Sequence, residues 1–384
     1  MINRLKYQID ELVNEILDHI PERMFKRNDT TFLDIAMGGG QFVRAIEQKL
    51  LSYGHSKENV SNRVFGFESN ELTVQYAVNS LNLLGTYKAI SDKALLENNQ
   101  RKKYHVVLGN PQHQNSNPDA SSGKLWPRFI KKAITLTKSK GYTAIVSPNS
   151  WTKGSISQRG SGKLWEELRQ YNVVYVNNKD CGVHFKESTA FSYFILSKTK
   201  PKMGGILRQD GEEYTVPFHQ IDMIPADPEA IFIVNSFFKA QPKIDCTLVT
   251  NVRNKDMNLQ DSGAYPVFTN GKIQYTDDLI YDTEEKILIP WSNTYEKHIQ
   301  VGNHIAGDNT VYLYTHGYGE NMMSVLTSRL YRFCLNQMKM AAHNEPVRLF
   351  PALDFTRKWT DAEIYEYFNL NEKEVEYIDK HFPP

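Results

Sequence analysis

Tyr104-His-Val-Val-Leu-Gly-Asn-Pro-Gln-His-Gln114 is the stretch on which the reading of the chain turns. Its apolar first half holds two β-branched valines and stops at Gly109 and Pro111, the pattern of a short strand buried in a parallel sheet. The run predicts that Asn110, Pro111 and His113 stand at the carboxyl edge of that sheet, where open α/β sheets bind ligands. Asn110 offers an amide oxygen, and the residue ahead of a proline is held extended. Nearby carbonyls then stay free to accept protons from an amino group. The flat imidazole of His113 can stack on a planar base. Taken alone, the same turn is also what an ordinary strand-ending loop looks like.

Toward the amino terminus, Leu5, Ile9, Leu12, Ile16, Leu17 and Ile20 fall at helical spacing until Pro21 interrupts them. Thr31-Phe-Leu-Asp-Ile-Ala-Met-Gly-Gly-Gly-Gln-Phe42 then reads as a strand, a glycine turn and the start of a helix over Phe42 to Leu50. Gly38, Gly39 and Gly40 let a ligand come close to the backbone, and the helix start offers free N–H groups. The turn is not the dinucleotide fingerprint, because Val43 holds the third glycine position. Gly160-Ser-Gly-Lys163 mimics the end of a phosphate loop but reads as a helix cap. A second strand, Val64-Phe-Gly-Phe, ends at Glu68, and a third, near Tyr87 to Ile90, is followed by Asp92. A carboxylate at the end of the strand after a glycine turn can accept from ribose hydroxyls. One a strand further over can accept from an adenine amino group.

In this order the segments resemble the motifs of S-adenosylmethionine-dependent methyltransferases. Leu33-Asp-Ile-Ala-Met-Gly-Gly-Gly-Gln-Phe42 is similar to the first motif, Phe65-Gly-Phe-Glu68 to the ribose-binding motif and Ser91-Asp92 to the adenine-edge motif. Gly109-Asn-Pro-Gln-His-Gln114 resembles the Asn-Pro-Pro-aromatic signature of amino-group DNA methyltransferases, with Gln112 at the second proline and His113 at the aromatic position. The resemblance continues through the helix Leu125 to Ile134, the strand Gly141-Tyr-Thr-Ala-Ile-Val-Ser-Pro-Asn-Ser-Trp151, and strands at Asn172 to Asn177 and Phe191 to Lys198.

The resemblance implies an α/β fold with a seven-stranded Rossmann-like sheet whose last strand is antiparallel. It implies S-adenosylmethionine as cofactor, held by Asp34, Ile35, Ala36, Gly38, Gly40, Glu68, Asp92 and Asn110. Catalysis falls to Asn110, Pro111 and His113, with His113 and Phe185 stacking on the target base. The reaction implied is methyl transfer to adenine N6 of a base flipped out of duplex DNA, with cytosine N4 the other amino target. The motif order is that of the gamma group of restriction-modification enzymes, for which a cognate restriction endonuclease is an expected partner. None of the three cysteines follows a proline, which excludes cytosine C5 chemistry. The altered residues 112 and 113 keep open a catalytically inactive, methyltransferase-like DNA-binding protein, and a basic tract that suits either nucleic acid keeps open an RNA adenine methyltransferase.

At 384 residues the chain has room for roughly two domains. Its 45 basic and 44 acidic residues nearly cancel, so only their distribution is informative. From Ala120 to Lys163 there are nine Lys or Arg residues and no acid, a positive tract suited to phosphates. Lys124, Arg128, Lys153, Arg159 and Lys163 are its candidate DNA contacts. Trp151 to Gly162, rich in Ser and Gly, reads as a loop that closes over nucleic acid or as a plain connector. Cys181, Cys246 and Cys334 are scattered, without the spacing of a disulfide framework or a metal site. No apolar run is long enough to span a bilayer, and the expected setting is the cytoplasm of a bacterium or of a phage-infected host. Lys198-Thr-Lys-Pro-Lys-Met-Gly-Gly205 reads as a boundary between a catalytic domain, 1–200, and an α+β target-recognition domain, 201–384. In the latter, Tyr265 to Lys272 and Phe350 to Asp361 resemble carboxyl-terminal segments of restriction-modification adenine methyltransferases. Thr360 with Glu363 and Asn371 with Glu374 predict capping boxes on acidic helices that lie away from DNA.

Overall fold

A computed structural model describes residues 2–97, 102–111, 125–156, 162–184, 190–249, 253–278, 281–339 and 343–382. It divides into two compact units, Met1–Asp222 and Met223–Pro384.

The first unit is built on a sheet whose central strands are buried on both faces, as a parallel sheet between helices requires. Its strands are β1 (Phe32–Asp34), β2 (Val64–Glu68), β3 (Thr86–Ala89), β4 (Tyr104–Gly109), β5 (Thr137–Pro148), β6 (Asn172–Asn178), β7 (Phe191–Ser197), β8 (Gly205–Gln209) and β9 (Glu212–Val216). Its helices are α1 (Ile2–Asp18), α2 (Arg23–Lys26), α3 (Gln41–Ser52), α4 (Lys57–Ser61), α5 (Glu71–Leu81), α6 (Asp92–Glu97), α7 (Trp126–Leu136) and α8 (Gly162–Leu168). The sheet order is β3-β2-β1-β4-β5-β7-β6-β8-β9. β1 through β5 are parallel, and β7 lies antiparallel between β5 and β6.

The sheet therefore has nine strands, two more than expected. β8 pairs parallel with β6, and β9 closes a hairpin on β8, so the outer backbone of β6 is not left as an open edge. For the same reason the division falls after Asp222 and not near residue 200. Beyond the hairpin, the indole N–H of Trp165 donates to Ile221 O at 2.9 Å, and Arg169 pairs with Asp222.

One face of the sheet packs against α1 and α3, with Leu12, Ile16 and Leu17 meeting Val43, Ile46, Phe32, Val106, Leu108 and Ile195. Burying each such aliphatic side chain stabilises the fold by about 1.5–3 kcal/mol. On the opposite face Trp151 stacks on Trp165 with ring centroids 5.5 Å apart, and its N–H donates to Ser192 Oγ at 3.0 Å. Trp151 thus anchors a short 3-10 segment, Asn149–Ile156, where an open loop was expected. A bare indole in solvent would forfeit that burial, which is why the chain turns inward there.

The second unit is α+β. Its strands are β10 (Thr247–Val249), β11 (Tyr265–Thr269), β12 (Lys272–Thr276), β13 (Lys286–Pro290), β14 (Gln300–Gly302), β15 (Ile305–Ala306) and β16 (Thr310–Tyr314). They form a four-stranded sheet, β10-β16-β13-β14, and a three-stranded sheet, β12-β11-β15. The β11–β12 hairpin turns on Asn270 and Gly271, both at positive φ, as the Asn-Gly pair predicts. Its helices are α9 (Ile231–Lys239), α10 (Tyr295–His298), α11 (Gly319–Leu326), α12 (Arg329–Met338), α13 (Asp361–Tyr367) and α14 (Glu372–His381). Both capping boxes form, and Arg329 ties α13 and α14 together through Asp361 and Asp379.

Candidate cofactor and catalytic site

The carboxyl ends of β3, β2, β1 and β4 lie side by side, which brings four separate sequence motifs to one edge. The chain after β1 is pinned on both flanks: Ile35 N donates to Leu108 O and Met37 N to Phe67 O, each at 2.8 Å. The turn then needs positive φ at Gly38 and Gly40. A Cβ on Gly40 would stand 3.2 Å from Leu81 Cδ1 and 3.3 Å from Ala77 Cβ, so helix packing also demands glycine there. Over Gly38 there is no atom within 4 Å of that position, which leaves the backbone open to a ligand.

Glu68 has a role that sequence reasoning missed. Its Oε2 accepts from Gly38 N at 3.1 Å, while Oε1 accepts from Ser69 Oγ and Asn70 N, each at 3.1 Å. It braces the glycine turn as well as facing the ligand side, and nothing in a lone Glu at a strand end signals that contact.

Asp34 is fully buried, and its Oδ1 accepts from Ala36 N at 3.0 Å. Oδ2 has no partner among the described residues. Burial, with a small addition from the Glu68 charge, pushes the carboxyl up to about 7. The Asp92 carboxyl is also raised, by burial first and by Glu68 second.

Beside the turn lies a shallow, open hollow walled by Ile35, Ala36, Glu68, Asp92, Leu95 and Phe129. Four of the expected cofactor residues, Ile35, Ala36, Glu68 and Asp92, therefore face one space. Asp34, Gly38 and Gly40 are not part of that wall, and Asn110 lies beyond it at the end of β4. Gly109 binds the two regions together, since a Cβ on it would stand 3.1 Å from both Asp34 Oδ1 and Ile35 Cγ2. Asn110 is exposed and Pro111 buried.

His113, Lys124, Arg159 and Phe185 lie outside the described residues. Arg128, in the first turn of α7, and Lys163, in the first turn of α8, are both exposed. Lys153 is half-buried, and burial followed by repulsion from Lys179 lowers its ammonium to about 7. The basic tract does not form one surface. Lys131 pairs with Glu167 at 2.7 Å, and Lys138 and Lys140 lie at the amino end of β5, across the sheet from Asn110. A helix leading into a parallel strand carries the chain from one edge to the other, which a linear charge count does not register. Among the described residues no group of three His, Cys, Asp or Glu could hold a metal ion, and the three cysteines are free.

Fold and edge together define a methyltransferase-type α/β chain. Residues 45–181, about a third of the chain, match the family described as Eco57I restriction-modification methylase, whose kind of domain takes S-adenosylmethionine as cofactor. No curated protein matches the sequence significantly. Among solved structures, the type IIL restriction-modification enzyme MmeI in complex with DNA is similar over 92% of this chain and 65% of its own, at 13% identity and TM-score 0.50. The DrdV–DNA complex is similar over 91% of this chain and 55% of its own, at 11% identity and TM-score 0.53. A putative class I S-adenosylmethionine-dependent methyltransferase from Listeria monocytogenes covers 53% of this chain and 65% of its own, at 18% identity and TM-score 0.42. The chain thus spans less than two thirds of the length of each of these three structures.

Proposed function

We propose that the chain is a site-specific DNA methyltransferase that moves a methyl group from S-adenosylmethionine to adenine N6 of a base flipped out of duplex DNA. The observation that supports this reading is the tight packing of Gly109, the residue before Asn110, on Asp34 and Ile35 at the end of β1, where a Cβ would stand 3.1 Å from each. The residues present suit the cofactor. Gly38 leaves its backbone uncovered, Glu68 and Asp92 bring carboxylates into one hollow for hydroxyl and amino groups, and Asp34 Oδ2 is a buried acceptor for a donor to satisfy. When bound, S-adenosylmethionine supplies an electrophilic methyl on a sulfonium.

The protein's part is positioning. Asn110 Oδ1 and the Pro111 carbonyl would accept hydrogen bonds from the two N–H groups of the target amino group, which turns the nitrogen lone pair toward the methyl. Fixing that alignment does most of the work, without a covalent enzyme intermediate. Unstacking the base costs a few kcal/mol, repaid by stacking on His113 and Phe185. Arg128 and Lys163 contact phosphates, with Lys124, Arg159 and Lys153 on the same tract, and the second unit reads the target sequence. A cognate restriction endonuclease recognising the same site is the expected partner.

The test is sequencing with modified-base detection of DNA from cells expressing the wild type and Asn110→Ala. N6-methyladenine at one sequence motif, absent in the variant, establishes reaction and residue together; a mark on cytosine N4 would move the target. Gln112 and His113 favour a second reading, a DNA-binding protein that takes the cofactor without using it. Cofactor binding with no mark on DNA or RNA would select that reading.

A further inference from the structure

A second hollow opens on the other side of Ile90, which lines both. Phe65, Phe67 and Tyr104 form its floor on the sheet, and Lys88 and Lys102 stand at its rim. The rings of Phe65 and Tyr104 are 5.3 Å apart. Lys102 Nζ lies 3.6 Å from the Phe65 centroid and 5.5 Å from that of Tyr104. No acid lines this space, and among the described residues neither lysine has a carboxylate partner. Burial, then repulsion from Lys88 and Lys138, weakens the hold of Lys102 on its proton. Lys138 belongs to the basic tract yet lies across the sheet from Asn110, so the DNA reading does not account for it.

Cations crowded over aromatic rings without an anion make an arrangement that a bound anion would relieve. Aromatic faces accept any nucleobase by stacking, and ammonium groups accept a phosphate. We propose that this hollow is a second ligand site for a nucleotide, with its base on the half-buried Phe65 ring and its phosphate between Lys88 and Lys102. The flexible stem of Lys102 lets its ammonium leave the ring for the phosphate. The nucleotide is either free or one unit of a single strand; both present the same ring and phosphate.

The site is also wired to the first hollow. Ile90 lines both, and its N–H donates to Glu68 O at 2.8 Å, while Glu68 Oε2 holds Gly38. Filling the second hollow steadies Ile90 and with it the Glu68 brace, so it raises cofactor affinity; this coupling rests on the cofactor reading above.

Calorimetric titration of the full chain tests both parts. Adenosine 5′-monophosphate and a short oligoadenylate are titrated separately, with S-adenosylhomocysteine present to occupy the first hollow. Binding of either is expected, weakened about tenfold or more in Lys88→Glu and Lys102→Glu. Both lysines are exposed, and the variants should bind S-adenosylhomocysteine alone like the wild type. Binding of the mononucleotide assigns a free nucleotide, and binding of the oligonucleotide alone assigns a single strand. Binding of neither, or binding indifferent to both charge reversals, overturns the site. By reciprocity, adenosine monophosphate should tighten S-adenosylhomocysteine severalfold, and no change would overturn the coupling. A wild type that fails to bind S-adenosylhomocysteine at all overturns the cofactor reading instead, while the lysine variants still report on the second hollow.

Discussion

Asn110 stands exposed at the end of β4, and it makes no hydrogen bond to any described residue, so replacing it should remove chemistry and little else. Asn110→Ala is expected to lower the single-turnover rate by about a hundredfold or more, with cofactor affinity nearly unchanged, the mark of an interaction made to the reacting group. Equal losses in both would sink the assignment. Asp34 is the converse case, a carboxylate whose burial raises it from the ordinary 3.8 to about 7. Between those values the folded chain holds a proton that the unfolded chain has released, so stability falls as pH rises from about 4 to about 7. Asp34→Asn, isosteric and uncharged, should flatten that slope and stabilise the chain at pH 8 by an amount on the order of a few kcal/mol, read by urea unfolding at pH 5 and pH 8. The acid after β1 was legible as a ligand-side residue because strand, glycine turn and helix frame it. Its Oδ2 without a partner was not, since a lone pair left unpaired depends on every neighbour at once.

Among elements, those made by local pattern were legible: short apolar runs became β2, β4 and the second half of β5, and α1 ended at Asp18, just ahead of Pro21. The β8–β9 hairpin was not, because a stretch rich in Lys, Gly and Pro also looks like a linker, and only the free edge of β6 explains why it pairs. Glu47 hid in the same way. It reads as one more charge on α3, yet its carboxylate accepts from Leu84 N and Gly85 N, each at 2.8 Å through Oε1, and from the Tyr87 hydroxyl. It closes the turn that delivers β3, and so the Ile90 and Asp92 that follow. Glu47→Ala would leave two N–H donors and a phenol without an acceptor, at a cost of about 2–4 kcal/mol, whereas Glu47→Gln keeps an acceptor and should lose less. A denaturant midpoint equal in the two variants would show that the carboxylate does not brace the turn.

Over the whole molecule, the near-zero net charge hides an uneven distribution, and the fold redistributes it again. Of the tract from residue 120 to 163, Arg128 and Lys163 are exposed in the first turns of α7 and α8, while Lys131 is neutralised by Glu167. Arg128→Ala and Lys163→Ala should each lower the slope of log affinity against log salt by about 1 on any duplex, leaving the sequence methylated unchanged. Lys131→Ala should leave the slope where it was, and a loss equal to that of Arg128→Ala would show that the pair opens on DNA. The order of the sheet has one further consequence, for synthesis. β7 sits between β5 and β6 and is the last of these three to leave the ribosome, so an emerging chain that stops short of residue 191 displays an unzipped edge on β5. The nascent first unit is therefore obliged to wait, sticky and unfinished, until Phe191–Ser197 arrives and closes it.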